Sequence, residues 1–218
     1  MNTFERVLDS IGLAIAQGKL AAGDIDTVDG LVARTGASRS IVREATRVLE
    51  SLGMIRAGRR IGLTVLDRGE WQLLDPRVIR WRDLSRDRMQ QESELRDLRR
   101  AIEGEAARLA ATRHSDSQIT VFNEALQDLE RAASAQDSSA FLAADRKLHA
   151  SVLQMSGSNM LTRLQSVIHE ALRLRTPDSS ARWQAAPNDV QLHRALGEAI
   201  ERRDPERSGE IMAQIAKG

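Results

Sequence analysis

Apolar residues recur along the chain at helical spacing almost from its start. Phe4, Val7, Leu8, Ile11 and Ile15 form one stripe and predict a first helix over residues 4–17. Ala21-Ala22-Gly23-Asp24 reads as a turn. Thr27 has the hydroxyl of an N-cap, and Gly36 suits the left-handed position after a helix end, so a short helix is expected between them. Ser38 then caps a longer helix that stops at Gly53, with Ile41, Val42, Ala45, Val48, Leu49 and Leu52 inward. The period changes from helix to strand at Met54–Ala57 and again at Ile61–Leu66. Gly58-Arg59-Arg60 between them reads as a hairpin turn with a basic tip. Helix, short helix, longer helix and basic hairpin, in that order, predict a winged helix-turn-helix over residues 1–68. The N-terminal end of the Ser38 helix would enter the major groove.

Residues 69–87 are expected to be a connector. Trp71, Leu73, Leu74, Val78, Ile79 and Trp81 make it too apolar for a free linker, so it should pack on a domain surface, with Asp75-Pro76 starting a short helix. Residues 88–218 read as helix punctuated by caps. Ser115-Asp116-Ser117-Gln118 is a capping-box pattern and Asp137 a further N-cap, and Ser156-Gly157-Ser158 closes a helix. Pro177 ends another, Pro187 begins one, and Asp204-Pro205 is an N-cap followed by proline. The fold class expected is therefore mainly α, a winged helix-turn-helix followed by an antiparallel bundle of about six helices. A bundle core is a usual place for a ligand or metal.

Composition narrows the class further. Hydrophobic residues make up 41% and charged residues 29%, a globular balance. No apolar run approaches the length of a membrane span, so no membrane partner is expected. The first ten residues are charged from Glu5 onward and lack the apolar segment of a secretory leader. Cysteine is absent, which removes disulfide and thiolate chemistry and is compatible with a cytoplasmic location.

The net charge of +1 identifies no partner, but its distribution does. Arg34, Arg39, Arg43, Arg47, Arg56, Arg59 and Arg60 stand against only Glu44 and Glu50, a local balance of +5. A solvated helix face would look similar. The same cluster is also the electrostatic footprint of nucleic-acid binding, and guanidinium suits bidentate contact with phosphate or guanine. Arg39, Ser40 and Arg43 lie at i, i+1 and i+4, so they can reach one strip of DNA together.

These residues resemble the GntR family of transcription regulators. The resemblance rests on Ala37-Ser38-Arg39-Ser40-Ile41-Val42-Arg43-Glu44-Ala45, on Leu49-Glu50-Ser51-Leu52-Gly53-Met54-Ile55, and on a wing at Arg60-Ile61-Gly62-Leu63-Thr64-Val65. It implies DNA contacts from Arg34, Ser38, Arg39, Ser40, Arg43, Arg47, Arg59, Arg60 and Gly62. Residues Arg99 to Glu103, Asp145 to His149, Asn159 to Leu161 and His193 to Leu196 resemble the FCD effector-binding domain of that family. The connector from Trp71 to Trp81 is similar to that of sugar-acid regulators of the galactonate type. Two departures stand out. The turn before the second helix is Ile25-Asp26-Thr27-Val28, without the usual proline, and Asp29 occupies a place where relatives carry a DNA-contacting arginine.

Asp145 and His149 lie four apart on one predicted helix face, and His193 sits on a later helix that could return antiparallel. By spacing alone they fit a surface acid and two core or surface histidines. With the resemblance they imply a site for a divalent metal (Zn, Ni or Mn) with open positions. A further histidine common in metal-binding relatives is replaced by Ile215. Arg99 lies four before Glu103, which allows a helical salt bridge or a clamp on an effector carboxylate. Asn159 is either a helix cap or a polar contact to effector hydroxyls. No partner is apparent for His114 or His169, and Trp71, Trp81 and Trp183 read as packing residues.

The function expected is a homodimeric repressor of double-stranded operator DNA, controlled by a small organic or sugar acid. A metal-dependent hydrolase or lyase using Asp145, His149 and His193 remains the alternative, without a base or nucleophile at recognisable spacing. An effector-independent architectural DNA binder is a third.

Overall fold

The computed structural model describes residues 2–175 and 188–217. Pro177, Trp183 and Pro187, with the helix boundaries expected from the two prolines, lie outside them. The chain divides into two compact units, Met1–Gln91 and Glu92–Gly218.

In the first unit, α1 (Thr3–Ala16) buries Val7, Leu8, Ile11 and Ile15, the stripe expected from the sequence. Thr27 caps α2 (Val28–Thr35) by accepting from the Gly30 amide, and Gly36 closes it at φ 66°. Ser38 caps α3 (Arg39–Ser51), whose buried residues are Val42, Ala45, Thr46 and Leu49. One core joins α1, α2 and α3 to the sheet.

That sheet has one strand more than the sequence suggested. Alongside β2 (Ile55–Gly58) and β3 (Gly62–Val65), the two residues of β1 (Ile25–Asp26) pair antiparallel with β3, in the order β1-β3-β2. A two-residue strand has no alternation to read, and its pairing is decided by the distant β3. Gly62 sits at φ 109°, and a Cβ there would lie 2.5 Å from the Asp26 carbonyl oxygen, so the close approach of β1 requires glycine.

The connector packs within this unit. A 3₁₀ turn covers Arg68–Glu70, and α4 (Pro76–Asp83) starts from an Asp75 cap with Pro76 in its first turn. The Trp71 indole donates to the Leu66 carbonyl, and Trp81 lies buried with its Nε1 donating to Asp9 Oδ1 at 2.9 Å. A Cβ on Gly12 of α1 would stand 2.7 Å from ring atoms of Trp81. Gly12→Val is therefore expected to destabilise this unit by about 1–3 kcal/mol through overpacking, which exceeds the few tenths gained in helix propensity. A lower urea midpoint with an unchanged slope would show it, and an unchanged midpoint would refute the packing.

The second unit is all helix among its described residues: α5 (Arg88–Arg113, entering from the first unit), α6 (Asp116–Ala135), α7 (Ser138–Met155), the single turn α8 (Asn159–Thr162), α9 (Gln165–Arg175), α10 (Asp189–Glu201) and α11 (Pro205–Ile215). The Ser115–Gln118 capping box and the Asp137 and Asp204 caps form as their sequences predict. The core runs from Ala106, Ala107 and Ala110 of α5 through Leu148 and Val152 of α7 to Leu196 and Ile200 of α10. Ile215 is part of it and is packed among hydrocarbon side chains.

Candidate metal centre and nucleic-acid interface

Three side chains of the second unit converge inside its core. Asp145 and His149 occupy one face of α7, and α10 brings up His193; all three are buried. Asp145 Oδ1 lies 3.3 Å from Nε2 of each histidine, and the two Nε2 atoms are 3.5 Å apart. The rings meet edge to face.

The outer nitrogens determine what the inner ones can do. His193 Nδ1 lies 2.7 Å from the Asp189 carbonyl oxygen, which only accepts, so Nδ1 carries the proton. His149 Nδ1 is held in the same way by Glu103 Oε1. In the neutral rings both Nε2 lone pairs therefore face Asp145 Oδ1, a buried oxygen without a hydrogen-bond partner. Three buried acceptors pointing at one another are relieved by a positive charge at their centre. A proton can supply it. Burial lowers the His149 pKa, but the Glu103 and Asp145 carboxylates overcome that and raise it to about 9. Burial likewise opposes the Asp145 charge, and the two histidines hold its pKa well below the ordinary carboxylate range. A divalent metal can supply the charge instead, and Asp with two Nε2 donors is a suitable ligand set. The residues fit a metal.

Glu103 was not anticipated as part of this site. Its Oε2 takes the Arg99 Nε hydrogen at 2.6 Å, and both side chains are 1% exposed. Burial raises the Glu103 pKa, yet His149 and Arg99 bring it down to about 2. The i,i+4 spacing to Arg99 signalled the salt bridge. Nothing in sequence could signal the bond to His149, which lies 46 residues away. Such an outer carboxylate fixes the ring and raises its basicity toward a metal.

Arg99 is also left with Nη1 and Nη2 buried and unbonded. It lines a cavity of about 120 Å³ with Arg96, Arg175, Glu92, Leu95 and Leu174. Arg175 enters through its Asp189 ion pair, at 3.2 Å, and had no sequence signal. Asn159 does not join this group. It is the exposed first residue of α8, and the cap that its position suggested comes from Ser158. His114 is buried, with Nδ1 on the Ala110 carbonyl, and His169 gives its carbonyl to Arg146.

In the first unit, Arg34, Ser38, Arg39, Ser40, Arg43 and Arg47 are all exposed around α3 and the α2–α3 turn. Arg59 and Arg60 are exposed at the wing tip, where Arg60 takes φ 68°. Gly62 is half-buried at the start of β3 and serves the β1 contact described above. Asp26 and Asp29 are not free acids: Asp26 pairs with Arg34 Nε at 3.1 Å and Asp29 with Arg39 Nη2.

Comparison with known proteins fits both units. The FCD domain family matches residues 94–217. The chain is 30% identical to the galactonate operon transcriptional repressor of Escherichia coli (strain K12), over 94% of this chain and 89% of that protein. It is 27% identical to the probable D-xylose utilization operon transcriptional repressor of Paenarthrobacter nicotinovorans, over 92% and 80%. Among solved structures, a GntR protein of Streptococcus agalactiae covers 98% of this chain and 97% of its own, with 21% identity and a TM-score of 0.54. Lar, which controls the expression of the Listeria monocytogenes agr system, covers 100% and 94%, with 13% identity and a TM-score of 0.63. These two structures share the fold.

Proposed function

Because the chain belongs to the GntR family of transcription regulators, in its FCD branch, we propose that it is a repressor released from its operator by a sugar acid. It is a DNA-binding regulator and not an enzyme, as its relatives are regulators. In this reading a homodimer places two α3 helices on a palindromic operator in the cytoplasm. Arg39, Ser40 and Arg43 read bases, while Arg34, Ser38, Arg47, Arg59, Arg60 and the backbone at Gly62 serve the phosphates.

The observation that carries the sensing half is the buried, half-satisfied guanidinium of Arg99. Its Nε is fixed by Glu103, and its two terminal nitrogens are buried without a hydrogen-bond acceptor. An unmet buried donor of this kind is costly, and an effector carboxylate would meet both nitrogens with one planar group. The galactonate repressor's name supports a sugar acid as the effector class. Asp145, His149 and His193 would hold a divalent metal (Zn, Ni or Mn), with Glu103 and the Asp189 carbonyl orienting the rings. Such a metal supplies a Lewis-acidic centre with coordination positions left for water or effector oxygens. Effector binding controls DNA only through different affinities for the DNA-competent and DNA-incompetent arrangements.

A thermal-shift screen of aldonic, uronic and aldaric acids, followed by gel shifts on the chain's own upstream region, tests this reading. A sugar acid that raises Tm and weakens a salt-sensitive, sequence-specific shift is expected. An acid-independent shift would leave an architectural DNA binder. For the metal, elemental analysis of protein purified without added metal is expected to find about one ion per chain in the wild type and none in His149→Ala. A metal-free, effector-responsive wild type would remove the metal.

A further inference from the structure

The six arginines expected to contact DNA fall into two groups. Arg43, Arg47, Arg59 and Arg60 are exposed and make no ion pair within the described residues. Arg34 and Arg39 are equally exposed but tied to acids, Arg34 to Asp26 and Arg39 to Asp29. The Asp26 pair is built into the fold. Strand β1 fixes the Asp26 backbone, and its Oδ1 accepts from the Thr27 amide at 2.7 Å. That oxygen occupies the space of a missing side chain, 2.1 Å from where a Cβ on Gly30 would be. The Asp29 pair spans the α2–α3 turn. Arg39 is the first residue of α3, a place where the helix dipole disfavours a cation, and the first turn of α3 holds no acid. Asp29, at the start of α2, supplies the missing negative charge.

We propose that Asp29 and Asp26 set operator specificity. Asp29 holds the Arg39 guanidinium in one orientation for reading a base, and Asp26 offsets the charge that Arg34 brings to its phosphate contact. Asp29 and Arg39 are both exposed, and such ion pairs contribute little to stability, about 0–1 kcal/mol, so this pair is not explained as a structural support. The Asp26 and Asp29 carboxylates also place two negative charges beside the phosphates, which weakens binding to DNA of any sequence. Affinity is thereby shifted from the sequence-independent backbone component to the base contacts of Arg39 and Arg43. This inference rests on the reading that the N-terminal end of α3 meets DNA.

The test uses the full-length protein, a random-sequence duplex, and a duplex selected by the wild type from a randomised pool. Asp29→Asn and Asp26→Asn keep side-chain size and the acceptor oxygen, and circular dichroism checks their folding. Each is expected to bind the random duplex about 3- to 10-fold more tightly. Each should steepen the slope of log K against log salt by about 0.9 for every arginine freed to a phosphate. Affinity for the selected duplex should change less, so discrimination falls, and Asp29→Asn should relax selection at one base position per half-site. Unchanged random-duplex affinity and slope in both variants would overturn the proposal. Arg39→Ala separates the two levels. If it binds the selected duplex as the wild type does, the recognition surface itself is misassigned; if it loses binding while Asp29→Asn changes nothing, only the role of the acids fails.

Discussion

Arg43→Ala is expected to weaken operator binding by about 1–3 kcal/mol, roughly 5- to 150-fold, for each half-site engaged. Arg43 stands one turn beyond Arg39 on the exposed side of α3, while Val42, Ala45 and Thr46 beside it are buried. Removing an exposed guanidinium that has no ion pair inside the unit leaves the core untouched, so stability should stay within about 0.5 kcal/mol of the wild type. Because a bidentate arginine distinguishes bases, the loss should be concentrated on the operator and small on random DNA. Arg59→Ala at the wing tip should behave differently. Taking away a cation that neutralises a phosphate weakens binding to all sequences alike and lowers the salt slope by about 0.9. Fluorescence anisotropy over a salt series, on specific and random duplexes, checks both. Wild-type binding by Arg39→Ala and Arg43→Ala together would move the recognition surface off α3.

Arg99→Met is expected to have the largest effect on stability, a loss of about 3–5 kcal/mol. The substitution removes a buried cation and leaves Glu103, itself 1% exposed, with His149 as its remaining partner. The destabilisation therefore arises from a stranded carboxylate more than from the missing attraction. A double variant, Arg99→Met with Glu103→Gln, removes that charge and should recover a substantial part of the loss. Urea unfolding of the two single variants and the double measures the coupling. A double variant as unstable as the sum of the singles would mean that the buried pair is not coupled. On the proposed reading, Arg99→Met also loses the thermal shift with sugar acids, while metal content persists. Loss of both together would place Arg99 in support of the metal cluster and not at the effector.

Glu103 shows where sequence reading stops. The spacing Arg99 to Glu103 marks a helical salt bridge, and an exposed pair of that kind would contribute only a few tenths of a kcal/mol. Its weight here comes from full burial and from the bond to His149 on another helix. Likewise, Asp145 and His149 are legible as neighbours on one face of α7, since four residues make about one turn. Their meeting with His193 depends on how α10 packs, which no local pattern encodes. Asp29 reads in sequence as an acid in the place of a DNA-contacting arginine, and the structure shows it paired with Arg39, as Asp26 is with Arg34. Asn159 reads as a cap or an effector contact, and the structure assigns the cap to Ser158.

By itself, the sequence determined what depends on neighbours along the chain. The helical stripes, the caps at Thr27, Ser38, Asp75, Ser115, Asp137 and Asp204, the glycine stops and the winged order of elements are all set within a few residues of backbone. Only the tertiary structure decided what depends on desolvation and on contacts between elements. The pairing of β1 with β3, the three acceptors around one buried point and the unbonded fork of Arg99 belong there. So does the pairing of Arg34 with Asp26 and of Arg39 with Asp29. The physical reason is that propensity and periodicity are local quantities. The charge state and bonding of a buried group are fixed instead by the side chains that folding brings around it.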